Sequence, residues 1–586
     1  MRFPFQNRRK QDARIDSSKS GAGLRRTAVT LSGSRLIEFP FVGWFNGGPM
    51  PKSTFKVGLL SGAVTAVALA ALVTPHAVAV EGNAAEAAFV VRTTDGQVRG
   101  IARPGGGAQF LGIPYAQPPV GNLRWHEPLP ATPWSGVRDA GNFGAPCAQP
   151  VLGDWNRHDA QNSREDCLFL NVIVPEWPVK KPLPVMFWIH GGANEGGSAS
   201  SALYKDGTLV DHGVLLITIN YRLGVFGFLA HPELTRESAH GESGNYGLMD
   251  QILALQWVRA NIASFGGDPH NITLFGQSAG AMDIGMLMTS SARNLFQKAI
   301  AESGTPFSPP LVPLAEAEEQ GVKLADELAA PKGGNAIEYL RRIPAEQLLT
   351  AMGKLDRKDR PQIGPDIDGW VIRSSPAEVF AGGDESAVPF LFGTTTREFG
   401  STMSHDVLTK AIERATGKYA EKALEAYGLV NGGNGTDDAK YGTAADQWVA
   451  DMVFRCPATA EGAWHTAARH PTYEYEFNHA IPGQANAVHS SDLPYVFGYF
   501  PLTGNIAGNF GKTDIKIADL VETYWTNFAK TGNPNSHNLP VWRKFGRTGR
   551  FIMFTEDGQV KESAGLRKAQ CGVYRDVLEQ GLKDQK

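Results

Sequence analysis

The pentapeptide Gly276-Gln277-Ser278-Ala279-Gly280 stands between an apolar run, Ile272 to Phe275, and a segment of helical character, Ala281 to Ser290. A strand that turns so abruptly into a helix commits the chain to a layered α/β arrangement, with the turn at the carboxyl edge of a sheet. Glycines two positions either side of Ser278 let the backbone pass without a Cβ clash and leave the hydroxyl clear of the sheet. A bare G-x-S-x-G has little specificity in a chain with 66 glycines among 586 residues. Its flanks must supply the rest.

Those flanks alternate strand-like and helix-like pieces. Phe89 to Arg92 and Gly96 to Ala102 suggest a small antiparallel opening; Leu183 to Ile189 and Val214 to Tyr221 are apolar runs of strand length. Leu248 to Ser264 has helical spacing, with Leu253, Leu255, Trp257, Val258 and Ile262 on its apolar face. Further strands are expected at Lys298 to Glu302, Phe390 to Thr394 and Thr472 to Phe477, and a surface loop at Asn431 to Asp438. The pattern predicts a mostly parallel sheet with helices on both faces and a site at the strands' carboxyl ends.

A serine nucleophile needs oxyanion donors, a base and an acid. His190-Gly191-Gly192-Ala193 ends the run Leu183 to Ile189 at the same sheet edge as Ser278. The N–H groups of Gly192, Ala193 and Ala279 are the candidate donors. The order serine, acid, histidine directs the search downstream, where six histidines follow residue 398: His405, His465, His470, His479, His489 and His537. Spacing leaves His489 and His479 open as bases, and Glu398 and Asp368 open as acids.

Composition excludes other classes. Residues 1–79 carry 11 Lys and Arg against three Asp and Glu, leaving 45 against 56 in the remaining chain. So acidic a body argues against a nucleic-acid partner. Within the leader, Lys52 and Lys56 precede the apolar stretch Val57 to Val73, and Ala77-Val78-Ala79 offers small residues for cleavage. This predicts a signal peptide over residues 50–79, with 1–49 as an upstream extension and 80–586 as one domain. The stretch is short for a stable membrane anchor. Four cysteines in an exported chain allow three pairings. Cys147 and Cys167 bracket a polar loop holding Trp155, and Cys456 and Cys571 would close a long one. There is no C-x-x-C pair, which argues against zinc or a redox site.

Five stretches decide what spacing leaves open: FLGIPYAQPPVGNLRW (110–125), EDCLFLNV (165–172), WIHGGA (188–193), GNYGLMDQ (244–251) and FGQSAGA (275–281). Together they resemble the type-B carboxylesterase and cholinesterase family of the α/β-hydrolase fold, from about Val90 to Asp576. The resemblance implies Ser278 as nucleophile, Glu398 in GTTTREFG as acid and His489 in HSSDLPYVFG as base, with His479 outside the catalytic set. It implies disulfides joining Cys147 with Cys167 and Cys456 with Cys571, and a supporting role for Ser303 in ESG. The implied function is hydrolysis of a small-molecule carboxyl ester through an acyl-enzyme, with no metal or organic cofactor. Alternatives on the same framework are a catalytically inactive binding protein, an interfacial lipase, and a carbamate or amide hydrolase.

One departure carries chemistry. The family commonly has glutamate before the nucleophile; here Gln277 removes a charge that would favour a cationic substrate. Uncharged esters are therefore expected, and Trp155 is expected as a partly exposed loop aromatic rather than a choline-stacking ring.

Overall fold

Strands whose every residue is apolar have both faces covered, and here helices cover them. The computed structural model describes residues 89–354, 363–430 and 433–584. The predicted leader lies outside these residues, as do residues 431 and 432 of the expected loop. The loop's remainder from Gly433 to Asp437 carries no regular structure.

One sheet of eleven strands organises the chain. In chain order its strands are β1 (Ile101–Ala102), β2 (Ala108–Pro114), β3 (Phe169–Val174), β4 (Leu183–Ile189), β5 (Leu215–Ile219), β6 (Gly267–Gln277), β7 (Lys298–Glu302), β8 (Phe390–Thr395), β9 (Thr472–Phe477), β10 (Arg550–Phe554) and β11 (Val560–Ala564). Their spatial order is β11-β10-β9-β8-β7-β6-β4-β5-β3-β2-β1. From β5 through β10 every neighbouring pair is parallel. Antiparallel pairs finish both edges. The mixed sheet follows from the crossovers: parallel neighbours need long connections, which the helices supply.

The helices that matter to the site are α1 (Tyr246–Asn261), α2 (Ala279–Thr289), α3 (Cys456–Ala467), α4 (Lys512–Thr531) and α5 (Lys568–Asp584). Alternation along β4 divides the core. Val185, Phe187 and Ile189 pack with Leu255 and Val258 of α1 and with Ile284 and Leu287 of α2. Met186 and Trp188 point the other way, toward Val521, Trp525 and Phe528 of α4. Each such side chain contributes about 1.5–3 kcal/mol by leaving water.

The expected opening pair is present as Val90–Arg92 and Gln97–Arg99, joined by Val137–Asp139 in a separate three-stranded sheet. The expected run from Gly96 to Ala102 is split at Gly100. A Cβ there would lie 2.4 Å from the carbonyl oxygen of Gln109, so the backbone can cross only at glycine. The predicted helix from Leu248 begins at Tyr246 and ends at Asn261, where a short 3-10 turn, Ile262–Phe265, runs into Gly266 at φ 86°. The glycine accommodates the left-handed stop.

Cys147 and Cys167 are bridged, as are Cys456 at the start of α3 and Cys571 in α5, with Cα separations of 4.9 and 4.6 Å. They close loops of 20 and 115 residues. On the chain-entropy model these contribute about 3 and about 5 kcal/mol. No helix among the described residues is long and apolar enough to cross a membrane.

Candidate active site

The site begins where β6 meets α2. Ser278 holds φ 57° and ψ −124° between them, a conformation that costs a non-glycine residue on the order of 1–3 kcal/mol and survives only when its surroundings impose it. The imposition is visible. A Cβ at Gly276 would sit 2.7 Å from the carbonyl oxygen of Ile189, and one at Gly280 only 2.0 Å from it. The turn therefore presses against the end of β4. The N–H of Ser278 donates to the carbonyl of Glu302 at the end of β7, at 2.8 Å, and the side chain stays partly exposed.

After β4 the chain makes a second strained turn. Gly192 is at φ 115°, Ala193 at 59° and Asn194 at 55°. The last two carry a Cβ, at about 1–2 kcal/mol each. No backbone acceptor among the described residues takes the N–H of Gly192, Ala193 or Ala279. His190 is not a base here: it is buried with its ring stacked on Tyr221, and burial pushes its pKa down to about 4. The ring of Trp155, 36% exposed, reaches this turn, since a Cβ on Gly192 would come within 3.1 Å of it.

Of the two candidate bases, His489 is brought to an acid. Its Nδ1 lies 2.6 Å from Oε2 of Glu398, and its backbone N–H donates to the Glu398 carbonyl at 2.8 Å. Glu398 follows β8, is 1% exposed, and accepts through Oε1 from the Ser303 hydroxyl at 2.7 Å and from the Thr395 N–H at 2.9 Å. Three donors fix the carboxylate, and a fixed carboxylate fixes the imidazole. The rings of Phe399 and Phe454 flank it, with centroids 4.5 and 5.0 Å away. The other nitrogen, Nε2, is 3.1 Å from the amide nitrogen of Gln277. With Nδ1–H donating to Glu398, Nε2 is an acceptor, and the amide N–H of Gln277 is its matching donor.

The competing residues are placed elsewhere. His479 bonds Oδ1 of Asp514 in α4 at 2.8 Å, and the Tyr495 hydroxyl shares that oxygen. Asp368 closes a turn through the N–H groups of Trp370 and Ile372, both at 2.9 Å. Among the described residues one group has metal-donor spacing, Glu385, His465 and His470. Its central imidazole already meets Glu385 at 2.7 Å and the Val388 carbonyl at 2.8 Å, so both ring nitrogens are engaged.

Three further carboxylates are buried behind the site, Glu302 within ESG, Asp492 within HSSDLPYVFG and Asp283 outside the quoted stretches. Asp492, three residues past His489, receives the Tyr475 hydroxyl at 3.0 Å. Burial first, then the nearby Glu398 carboxylate, push its pKa up. Burial likewise raises Glu302, which accepts from the Trp525 indole at 2.6 Å. Asp283 in α2 bonds Asn194 and Gln251 and is fully buried. An aspartate within the apolar helix AGAMDIGMLMT was the available hint.

The pattern of the carboxylesterase family matches residues 87–574. The fumonisin B1 esterase of Sphingopyxis macrogoltabida is 34% identical over 523 residues, covering 86% of this chain and 93% of that protein. The para-nitrobenzyl esterase of Bacillus subtilis (strain 168) is 34% identical over 480 residues, covering 78% and 93%. A solved PNB esterase structure superposes with a TM-score of 0.72 at 32% identity, covering 83% of this chain and 99% of that one. Each of these relatives is described as an esterase, which lends no support to an inactive binding protein. The chain belongs to the carboxylesterase family and is a carboxylic ester hydrolase of the α/β-hydrolase fold.

Proposed function

We propose that Ser278 is the nucleophile, His489 its general base and acid, and Glu398 the group that orients His489. The observation that carries this is the 2.6 Å contact between Nδ1 of His489 and a carboxylate that is itself held by two further donors. It leaves Nε2 with its lone pair toward Gln277, the residue adjoining Ser278. As Ser278 Oγ attacks the ester carbonyl carbon, its proton passes to Nε2, and Glu398 stabilises the imidazolium. The N–H groups of Gly192, Ala193 and Ala279 receive the oxyanion, each contributing about 3 kcal/mol to lowering the barrier. The tetrahedral adduct collapses, the alcohol leaves with the proton from His489, and water repeats the sequence on the acyl-enzyme.

The substrates in this reading are uncharged esters. Gln277 offers an amide where a carboxylate would attract a cation. Past the oxyanion turn, Leu223, Val225, Leu349, Met352 and Ile363, together with Glu195, line a recess whose walls are mostly apolar and suit the hydrocarbon part of an ester. A fluorophosphonate probe tests the nucleophile. It should label the wild type once, at Ser278 by peptide mapping, with ester hydrolysis lost in proportion; labelling elsewhere, or undiminished hydrolysis after full labelling, would overturn the assignment.

Residues 80–586 function as one exported domain after removal of the leader. The continuous sheet and the family match over 87–574 support a single domain. Two disulfides fit an oxidising compartment. Amino-terminal sequencing of the exported protein should begin near Val80, and an intact leader on it would sink the idea.

A further inference from the structure

Asp283 is a buried carboxylate with no cationic partner among the described residues. It sits in α2, the helix whose first N–H belongs to Ala279, and its side chain is wholly enclosed. Two neutral amides are its partners: Asn194 Nδ2 donates to Oδ1 at 2.9 Å, and Gln251 Nε2 of α1 donates to Oδ2 at 2.6 Å. Burial pushes its pKa up to about 7 against the pull of these two bonds. Packing alone gives no reason for such a group, since an apolar side chain would fill the place without desolvating a charge.

The reason lies in what Asn194 does. It ends the strained turn that carries the N–H groups of Gly192 and Ala193, with φ 55°. Its side chain is held at both ends. Nδ2 is held by Asp283, and Oδ1 accepts from the Tyr221 hydroxyl at 3.0 Å, a hydroxyl that also reaches the His190 carbonyl at 2.8 Å. Its carbonyl takes the N–H of Gly224 at 2.6 Å. Asp283 is the junction at which the turn after β4, the elbow helix α2 and, through Gln251, helix α1 meet on one carboxylate.

We propose that Asp283 is a positioning residue that fixes the oxyanion turn against the elbow helix, acting through Asn194. This rests on the reading of Gly192, Ala193 and Ala279 as the oxyanion donors. Two of those donors lie on the turn and one on the helix. A bond between turn and helix sets their mutual distance, and a displacement of an ångström in such a constellation costs about 100-fold in rate.

The test compares Asp283→Asn, Asn194→Ala, their double variant and Tyr221→Phe, using p-nitrophenyl butyrate and an aryl trifluoromethyl ketone. The ketone probes the oxyanion: Ser278 Oγ adds to its carbonyl carbon, the proton passes to His489, and the former carbonyl oxygen becomes the anion the donors must hold. Asp283→Asn should lower kcat about 10- to 100-fold with KM changed less than about twofold, and weaken the ketone by a similar factor. The double variant should be no worse than the worse single one, because both break one link. Tyr221→Phe, which leaves the Asp283 bond intact, should show a smaller effect in the same direction and keeps the test informative if an Asp283 variant does not fold. Unchanged kcat and ketone affinity in folded Asp283→Asn or Asn194→Ala, or strictly additive losses, would overturn the proposal. Turnover by Ser278→Ala within tenfold of wild type would instead overturn the reading beneath it.

Discussion

Ser278→Ala should lower kcat for ester hydrolysis by about 10⁴- to 10⁶-fold, because residues of a catalytic triad act as a unit and loss of the nucleophile removes nearly all that the unit supplies. What remains is attack by water on an ester held at the oxyanion turn. Stability should barely move. The Ser278 side chain is partly exposed, and its strained backbone is imposed by the approach of Gly276 and Gly280 to Ile189, which alanine leaves in place. The measurement is kcat on protein whose melting temperature matches wild type within about 2 °C, consistent with a surface-type substitution. Turnover within tenfold of wild type would exclude Ser278 as the nucleophile.

The elbow was legible because its geometry depends on residue type at fixed offsets. Gly276 and Gly280 are needed where the turn meets Ile189, and that requirement is written in five adjacent residues. Strand β4 was legible for a related reason: buried on both faces, it reads as a continuous apolar run, whereas β7 and β9 match their expected bounds although Lys298, Glu302, Glu474 and Glu476 stand among their buried residues. β5 is shorter than its run, ending at Ile219; Asn220 still donates its backbone N–H to Phe169 at 3.0 Å while its side chain receives the Ala199 N–H at 2.8 Å and donates to Ala145 at 2.9 Å. β6 is longer, reaching back to Gly267, which pairs with Leu183, through an irregularity at Asp268, Pro269 and His270, residue types that argue against a strand. β10 and the edge strand β11 have no clear sequence signal, and β11 is mostly exposed and polar.

The choice of base shows where local reading stops. His479 and His489 both lie after β9, within ten residues of one another in one connection. What separates them is which distant carboxylate each meets, Asp514 of α4 or Glu398 after β8. Neither spacing nor propensity encodes that, so motif resemblance had to supply it. The same holds for Asp283, whose partners Asn194 and Gln251 are 89 and 32 residues away.

Glu398→Gln should lower kcat about 10⁴-fold, the scale on which a triad acid's replacement by its amide acts through the wrong imidazole tautomer. The hydrogen-bond pattern gives the physical cause. Glu398 Oε1 accepts from Ser303 and from the Thr395 N–H, so a glutamine keeps those bonds only by placing its carbonyl there. Its NH₂ then faces Nδ1 of His489 at the position of Oε2, where it must donate. The imidazole answers by carrying its proton on Nε2, and that nitrogen can no longer take one from Ser278. The reversed amide points an N–H at two donors in a buried site, at a cost of about 1–3 kcal/mol for each unsatisfied group, so it does not rescue the tautomer. KM should change little, since Glu398 is only 1% exposed. With acid and nucleophile acting as one unit in the proposed mechanism, the double variant Ser278→Ala/Glu398→Gln should be no slower than Ser278→Ala alone. Independent, multiplying losses in that double variant would mean that Glu398 acts on some step other than the activation of Ser278.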